Sequence, residues 1–298
     1  MQLEIRNIHK SFDGKEILHG ISFLVESGRA SGFLGRNGAG KSTTFRCLMQ
    51  VFRQDEGEFL LDGSPLNLHS HRIGYLPEER GMYSKVTLKN QLMYFARLKG
   101  ATRHEAEKDA AYWIHYFDLD EYADRKLETL SKGNQQKIQI AQAFLHDPDL
   151  IILDEPFSGL APVNAQIFKD AIREMVGRGK LVIFSSHQMS YVEEICDAIT
   201  IIDAGRILLS GELDEIKERE GRGLYQIECR PEAQEHVLRQ INEAGLTCTL
   251  HGPKILTDLD PQKLPQLLAD NFGGILDAGC YRPSLQDIFI AKAGEQDA

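Results

Sequence analysis

One eight-residue segment constrains this chain more than any other. Gly35-Arg36-Asn37-Gly38-Ala39-Gly40-Lys41-Ser42 follows an apolar run, Ala30–Leu34, and precedes helical spacing over 43–51. It fits G-x-x-x-x-G-K-[ST], the pattern of a loop that wraps phosphates between a strand and a helix. Glycines let backbone N–H groups turn inward where a side chain would clash. The helix that follows adds about half a positive charge at its N-terminus. Lys41 can reach the outer phosphates, and the Ser42 hydroxyl is a hard oxygen ligand suited to Mg²⁺. Gly35, Arg36, Asn37, Gly38, Ala39, Gly40, Lys41, Ser42 and Thr43 are therefore the expected phosphate-binding residues.

Such a loop belongs to a parallel sheet, and the chain supplies one. After Asp147-Pro148, Leu150–Leu153 and 181–184 read as buried strands flanking a helix-like stretch, 163–177. Strand, helix, strand at that spacing is a parallel-sheet unit. Residues 198–202 read as a further strand before the turn Asp203-Ala204-Gly205. The run Leu150–Leu153 ends in Asp154-Glu155, two carboxylates at the strand end where α/β sheets bind ligands. Asp154 is expected to hold Mg²⁺, directly or through water, and Glu155 to act as general base on the attacking water. Loop and carboxylates together specify a nucleoside triphosphatase.

Between these parts, 87–145 reads as mostly helical. Leu88, Leu92, Phe95 and Leu98 recur at helical intervals before Gly100, and Thr102 with Glu105 forms a capping box. Trp113, Ile114 and Phe117 read as a core stripe. Residues 214–223, charged and glycine-containing, read as a linker. Beyond it, strands at 224–229, 247–250 and Ile275–Cys280 alternate with helices near Pro231, Pro261 and Ser284, a small α+β module.

Composition narrows the function classes. The length of 298 residues favours two domains, and 42% hydrophobic with 26% charged residues is an ordinary globular mix. The balance of 34 basic and 44 acidic residues gives −10. That argues against non-specific nucleic-acid binding, and no nucleic-acid partner is expected. No apolar run approaches the ~20 residues that span a bilayer. The N-terminus mixes in charges and lacks an apolar signal segment. Cys47, Cys196, Cys229, Cys248 and Cys280 are scattered without C-x-x-C spacing, which reads as reduced thiols in a cytosolic compartment.

Leu130-Ser131-Lys132-Gly133-Asn134-Gln135-Gln136, shortly before Asp154, resembles the signature sequence of ABC transporter ATPases. Physically it is another helix N-terminus, with Ser131 as cap and Gly133 permitting close approach to an anion. In that family the anion is the γ-phosphate bound by the opposite subunit, so two subunits sandwich two ATP molecules. The resemblance thus adds Ser131, Lys132, Gly133 and Asn134 to the nucleotide-contacting set. Lys132 stands where the commonest form has glycine, and Asn134 where it has glutamine. His187, after Phe184-Ser185-Ser186, resembles the switch histidine that senses the γ-phosphate. Phe12 matches the aromatic that stacks on adenine, usually a tyrosine. Glu78, in Ile73-Gly74-Tyr75-Leu76-Pro77-Glu78, occupies the place of the glutamine that touches Mg²⁺ and reports to the membrane partner. Phe157-Ser158-Gly159-Leu160-Ala161-Pro162 resembles the D-loop, but an aspartate normally stands where Ala161 is. Weaker coupling between the two nucleotide sites is expected from that departure. The stretch from Tyr281 to Phe289 resembles the closing helix of an accessory domain appended to some bacterial transporter ATPases.

The resemblance implies an α/β fold of the P-loop NTPase type over 1–215. It would have a RecA-like parallel core, an N-terminal antiparallel β subdomain and an α-helical insert at about 79–145. A small C-terminal α+β domain would occupy 216–298. The implied function is the ATP-hydrolysing subunit of an ABC transporter. It would use ATP and Mg²⁺, with Glu155 and His187 catalytic and Ser42, Glu78 and Asp154 holding the metal. Implied partners are a second ATPase subunit, identical or not, and a membrane permease on another chain, of export type. That permease would hold the ATPase on the inner face of the membrane. Two alternatives from other classes are a non-transport ABC ATPase and a regulatory module that holds ATP without turnover.

Overall fold

Alternation of apolar and polar residues makes the start of the chain a pair of long strands, β1 (Gln2–Phe12) and β2 (Lys15–Glu26). Asp13 and Gly14, both left-handed, turn one into the other. The computed structural model describes residues 1–78, 81–251, 254–258, 264–271 and 273–294. The chain divides into two units, Met1–Leu213 and Asp214–Ala298.

In the first unit, β3 (Ala30–Leu34) runs into the glycine loop and α1 (Lys41–Leu48) runs out of it. Strands β4 (Glu56–Leu61) and β5 (Ser64–Pro65) complete an antiparallel sheet ordered β2-β1-β4-β5. Next come β6 (Ile73–Leu76) and three helices, α2 (Leu88–Leu98), α3 (Arg103–Tyr116) and α4 (Lys132–Phe144). The unit ends with β7 (Leu150–Leu153), α5 (Pro162–Gly177), β8 (Leu181–Ser186), α6 (Met189–Ile195), β9 (Ala198–Asp203) and β10 (Arg206–Glu212).

The central sheet is ordered β10-β9-β3-β8-β7-β6. From β9 to β6 every pairing is parallel, and β10 alone runs antiparallel to its neighbour. Every residue of β3, β7 and β8 is buried, the consequence of covering a parallel sheet on both faces. Leu34 pairs with Ser186, and Leu153 with Phe184. The carboxyl ends of three adjacent strands therefore deliver Gly35, Asp154 and His187 to one edge of the sheet.

The helices between β6 and β7 follow their sequence signals. Thr102 and Glu105 form the reciprocal capping box at the start of α3. Trp113 is 2% exposed and packs 5.0 Å from Phe144, joining α3 to α4. The expected insert starts at 79; residues 79 and 80 lie outside the described residues.

In the second unit the segment expected to be a linker begins instead with a helix, α7 (Leu213–Glu220). Asp214 and Glu215 occupy its first turn, Lys217 and Arg219 its last, which suits the helix dipole at both ends. Leu213 and Ile216 are buried, so this dense charge is the solvent face of a docked helix. Then follow β11 (Tyr225–Cys229), α8 (Pro231–Glu243), β12 (Cys248–His251), β13 (Lys254–Thr257), α9 (Leu264–Asp270), β14 (Ile275–Cys280) and α10 (Leu285–Gly294). The strands form an antiparallel sheet, β12-β13-β11-β14. This is a split β-α-β arrangement around Ile227, Val237, Ile241 and Ile255. Strand β13 was not expected. The helix expected near Pro261 starts outside the described residues, which resume at Leu264.

The capping box yields a prediction. Thr102→Ala should cost about 1 kcal/mol. The measurement is the urea midpoint followed by the emission of Trp113, the sole tryptophan; an unchanged midpoint would mean the cap contributes nothing.

Candidate functional site

The glycine loop is shaped by close approach. Gly40 sits at φ 112, and a Cβ there would lie 2.7 Å from Leu18 Cδ2. At Gly35 a Cβ would meet the Ile202 carbonyl oxygen at 2.3 Å. Only glycine fits either position. Behind the turn, buried Ala39 donates its N–H to the Arg36 carbonyl at 3.1 Å. Lys41 then opens α1, whose first amides have no partner within the helix. Its buried ammonium donates to the carbonyls of Gly35 at 2.7 Å and Arg36 at 3.2 Å.

From the other side comes the end of β7. Glu155 Oε1 lies 3.3 Å from Lys41 Nζ, with both side chains buried. Glu155 Oε2 lies 2.8 Å from His187 Nδ1, whose side chain is 40% exposed. Glu155 adopts a left-handed backbone, φ 48, rare for a residue with a side chain. Its N–H donates to Ser185 Oγ at 2.9 Å, and Ser185 Oγ donates in turn to Asp154 Oδ1 at 2.6 Å. Asp154 is 1% exposed, and its N–H donates to the Leu76 carbonyl on β6. Burial raises the Asp154 carboxyl above the usual carboxylate range. The Ser185 and Ser42 hydroxyls oppose this, and the Glu78 and Glu155 carboxylates push the same way as burial.

Asn37, Gly38, Gly40, Lys41, Ser42, Thr43, Glu78 and Glu155 line a cavity of about 290 Å³. A larger cavity of about 670 Å³ lies elsewhere, lined by groups such as Glu4, Arg29 and Glu212, and contains none of these residues. Chemistry, not volume, picks out the site. The oxygens here suit a hard divalent cation. Ser42 Oγ donates to Glu78 Oε2 at 3.4 Å, and Asp154 Oδ2 is buried with no hydrogen-bond partner. A buried carboxylate oxygen left without a donor is costly, and coordination would satisfy it. Among the described residues no three His, Cys, Asp or Glu side chains are grouped to hold a metal by themselves.

Other expected residues stand apart. Phe12 is not part of the cavity lining; its ring meets Phe52 edge-on at 5.2 Å and carries Lys10 Nζ 5.2 Å above it. Ser131 caps α4 by accepting the Asn134 N–H. With Lys132, Gly133 and Asn134 it forms a separate surface patch outside the cavity. That patch continues onto the segment before α5, since Gln136 Nε2 donates to the Gly159 carbonyl at 3.3 Å. Sequence reasoning passed over Ser185. The available signal was a polar residue closing an apolar strand two positions before His187.

A glycine loop pressed against a strand that ends in two buried carboxylates defines a nucleotide-binding site on a P-loop fold. Comparison with known proteins narrows the class. Residues 18–158 match the ABC transporter family model. YhaQ of Bacillus subtilis (strain 168), an uncharacterised ABC transporter ATP-binding protein, is 40% identical over 296 residues, 98% of each chain. The Nod factor export ATP-binding protein I of Burkholderia lata is 32% identical over 213 residues, 70% of each chain. A solved ATP-binding subunit of an ABC transporter superposes with a TM-score of 0.68 at 29% identity, covering 74% of this chain and 94% of its own. The chain belongs to the ABC transporter ATP-binding proteins: it binds nucleotide and is an ATPase.

Glu78 adds a third carboxylate to the cavity region, and its effect is measurable. Glu78→Gln should tighten metal-free ATP binding by about tenfold, a figure between the ~1 kcal/mol of a like-charge contact in bulk water and the ~4 kcal/mol of one near a protein surface. Titration of a fluorescent ATP analogue in EDTA tests this, and equal affinities would place Glu78 away from the phosphates.

Proposed function

We propose that this subunit hydrolyses Mg²⁺-bound ATP at two composite sites of a dimer and drives an export permease carried on another chain. The supporting observation is Glu155, buried beside Asp154 and held between Lys41 and His187. In this reading the loop amides of 35–43 and Lys41 bind the phosphates. Ser42, Asp154 and Glu78 hold the metal, which when bound neutralises charge on the phosphate oxygens. Glu155 takes the proton of the attacking water, and His187 fixes its carboxylate through Oε2. Phe12 stacks on adenine.

The exposed N-terminus of α4 supports the dimer. Ser131, Lys132, Gly133 and Asn134 lie outside the cavity of their own chain, so a second copy would present them to the nucleotide. The permease is proposed to dock on the helical insert. There Asn90, Tyr94, Arg97 and Leu98 line a groove of about 650 Å³. Among the described residues no helix is long and apolar enough to cross a membrane, so attachment at the inner face is assigned to that partner. Export follows the relative named for Nod factor export. Residues 216–298 are read as an accessory domain.

Glu155→Gln should still bind ATP, and no more weakly for losing the carboxylate that shares Lys41, but lose about 10²–10⁴-fold in turnover, measured as phosphate release; wild-type turnover would sink the mechanism. A second variant tests site coupling. Ala161 is the N-cap of α5 and supplies no side-chain cap. Ala161→Asp should add about 1 kcal/mol of stability and raise the Hill coefficient for ATP. Greater stability with unchanged cooperativity would show that position 161 does not couple the sites. Purification from membranes together with a multi-span subunit tests the transport role.

A further inference from the structure

Strands β7 and β8 run parallel with Leu150 beside Leu181 and Ile152 beside Ile183. Side chains alternate along a strand, so these two apolar rows share one face, and all four residues belong to the same core cluster. Carried two residues further, the rows end in Asp154 and Ser185. An apolar side chain would continue the pattern at 185, yet a hydroxyl sits there at 0% exposure.

The Ser185 hydroxyl both donates and accepts. A serine hydroxyl has one proton, and it goes to Asp154 Oδ1 at 2.6 Å. A lone pair of the same oxygen receives the Glu155 N–H at 2.9 Å. The first bond occupies Oδ1 and leaves buried Oδ2 as the oxygen without a partner. The second ties down the left-handed backbone of Glu155, from which its carboxylate reaches both Lys41 and His187. Ser185 itself does not line the cavity.

We propose that Ser185 is a positioning residue for ATP hydrolysis, its hydroxyl orienting the metal-binding carboxylate of Asp154 and the backbone of Glu155 together. The inference rests on the roles proposed above for those two residues. Replacing the hydroxyl leaves Asp154 Oδ1 without its donor and Glu155 N–H without its acceptor, while the apolar row still packs. Metal binding should therefore suffer more than phosphate binding, because the loop amides and Lys41 do not depend on Ser185.

The test uses the full chain with a fluorescent ATP analogue, titrated in EDTA and again in Mg²⁺, beside phosphate release. Ser185→Ala, and Ser185→Cys with its near-equal volume and weak donor, should keep the metal-free affinity. Each should lose about 10–100-fold of the affinity gained on adding Mg²⁺, the scale for residues that orient metal ligands. Turnover should fall with that gain. The inference is overturned if either folded variant keeps the wild-type gain. It also falls if affinity drops equally with and without Mg²⁺, or if neither variant folds, since either result makes Ser185 a packing residue. Glu155→Gln separates the two levels. Full turnover by that variant would defeat the proposed mechanism. An inactive Glu155→Gln alongside Ser185 variants with unaltered Mg²⁺ dependence would defeat this inference alone.

Discussion

The ion pair between Lys41 and Glu155 is the contact on which the arrangement depends. It joins the loop after β3 to the end of β7 across the intervening strand β8, with both side chains buried. Neither charge is affordable alone, since removing one partner of a buried pair costs about 3–5 kcal/mol. The pair is further satisfied on both sides, by the carbonyls of Gly35 and Arg36 and by His187. Bound phosphates would compete for the same ammonium. Nucleotide bound as proposed would therefore act on the same contact that keeps both charges paired.

What brings these groups together is sheet register. Gly35, Asp154 and His187 are far apart in sequence, yet each follows a strand of one parallel sheet by a residue or so. Full burial of β3, β7 and β8 pins that register, because every side chain on both faces is in contact with core. A slip of one residue would exchange the two faces and carry Asp154 away from Ser185. The apolar runs therefore set the distances between the polar residues that follow them.

This explains how much was legible in the sequence. The loop, β3, β7, β8 and the α3 capping box were readable because each is encoded by adjacent residues. The parallel pairing followed from strand–helix–strand order. Helix α7 was missed because its apolar positions, Leu213 and Ile216, are few among many charges, and only their burial reveals a docked helix. Ser185 was missed because its meaning depends on a neighbouring strand: next to His187 it is an ordinary serine, beside Asp154 it is a hydroxyl that joins two carboxylate residues. The resemblance assigns Phe12 to the adenine and Ser131–Asn134 to the nucleotide of an opposite subunit, and their position outside this chain's phosphate cavity leaves both assignments open. For the α4 patch, the proposed second copy is an element that no single chain contains.

The two departures from the family pattern shift charge in opposite directions. At Ala161 a carboxylate is missing from the start of α5, next to the patch formed by the N-terminus of α4. Both helix ends there carry partial positive charge, so the surface proposed to meet a partner's nucleotide is more electropositive than an aspartate would leave it. At Glu78 a carboxylate is gained beside Ser42, giving the site three acidic groups with Asp154 and Glu155 against the single ammonium of Lys41. An anionic triphosphate entering such a site is repelled by these carboxylates and attracted by Lys41 and the N-terminus of α1, so further positive charge would strengthen its binding. The buried oxygen of Asp154 that lacks a hydrogen-bond partner suits the hard cation proposed for this site. With the metal-holding role proposed for Glu78, nucleotide binding by this chain would depend more on the metal than with a neutral glutamine at the same place.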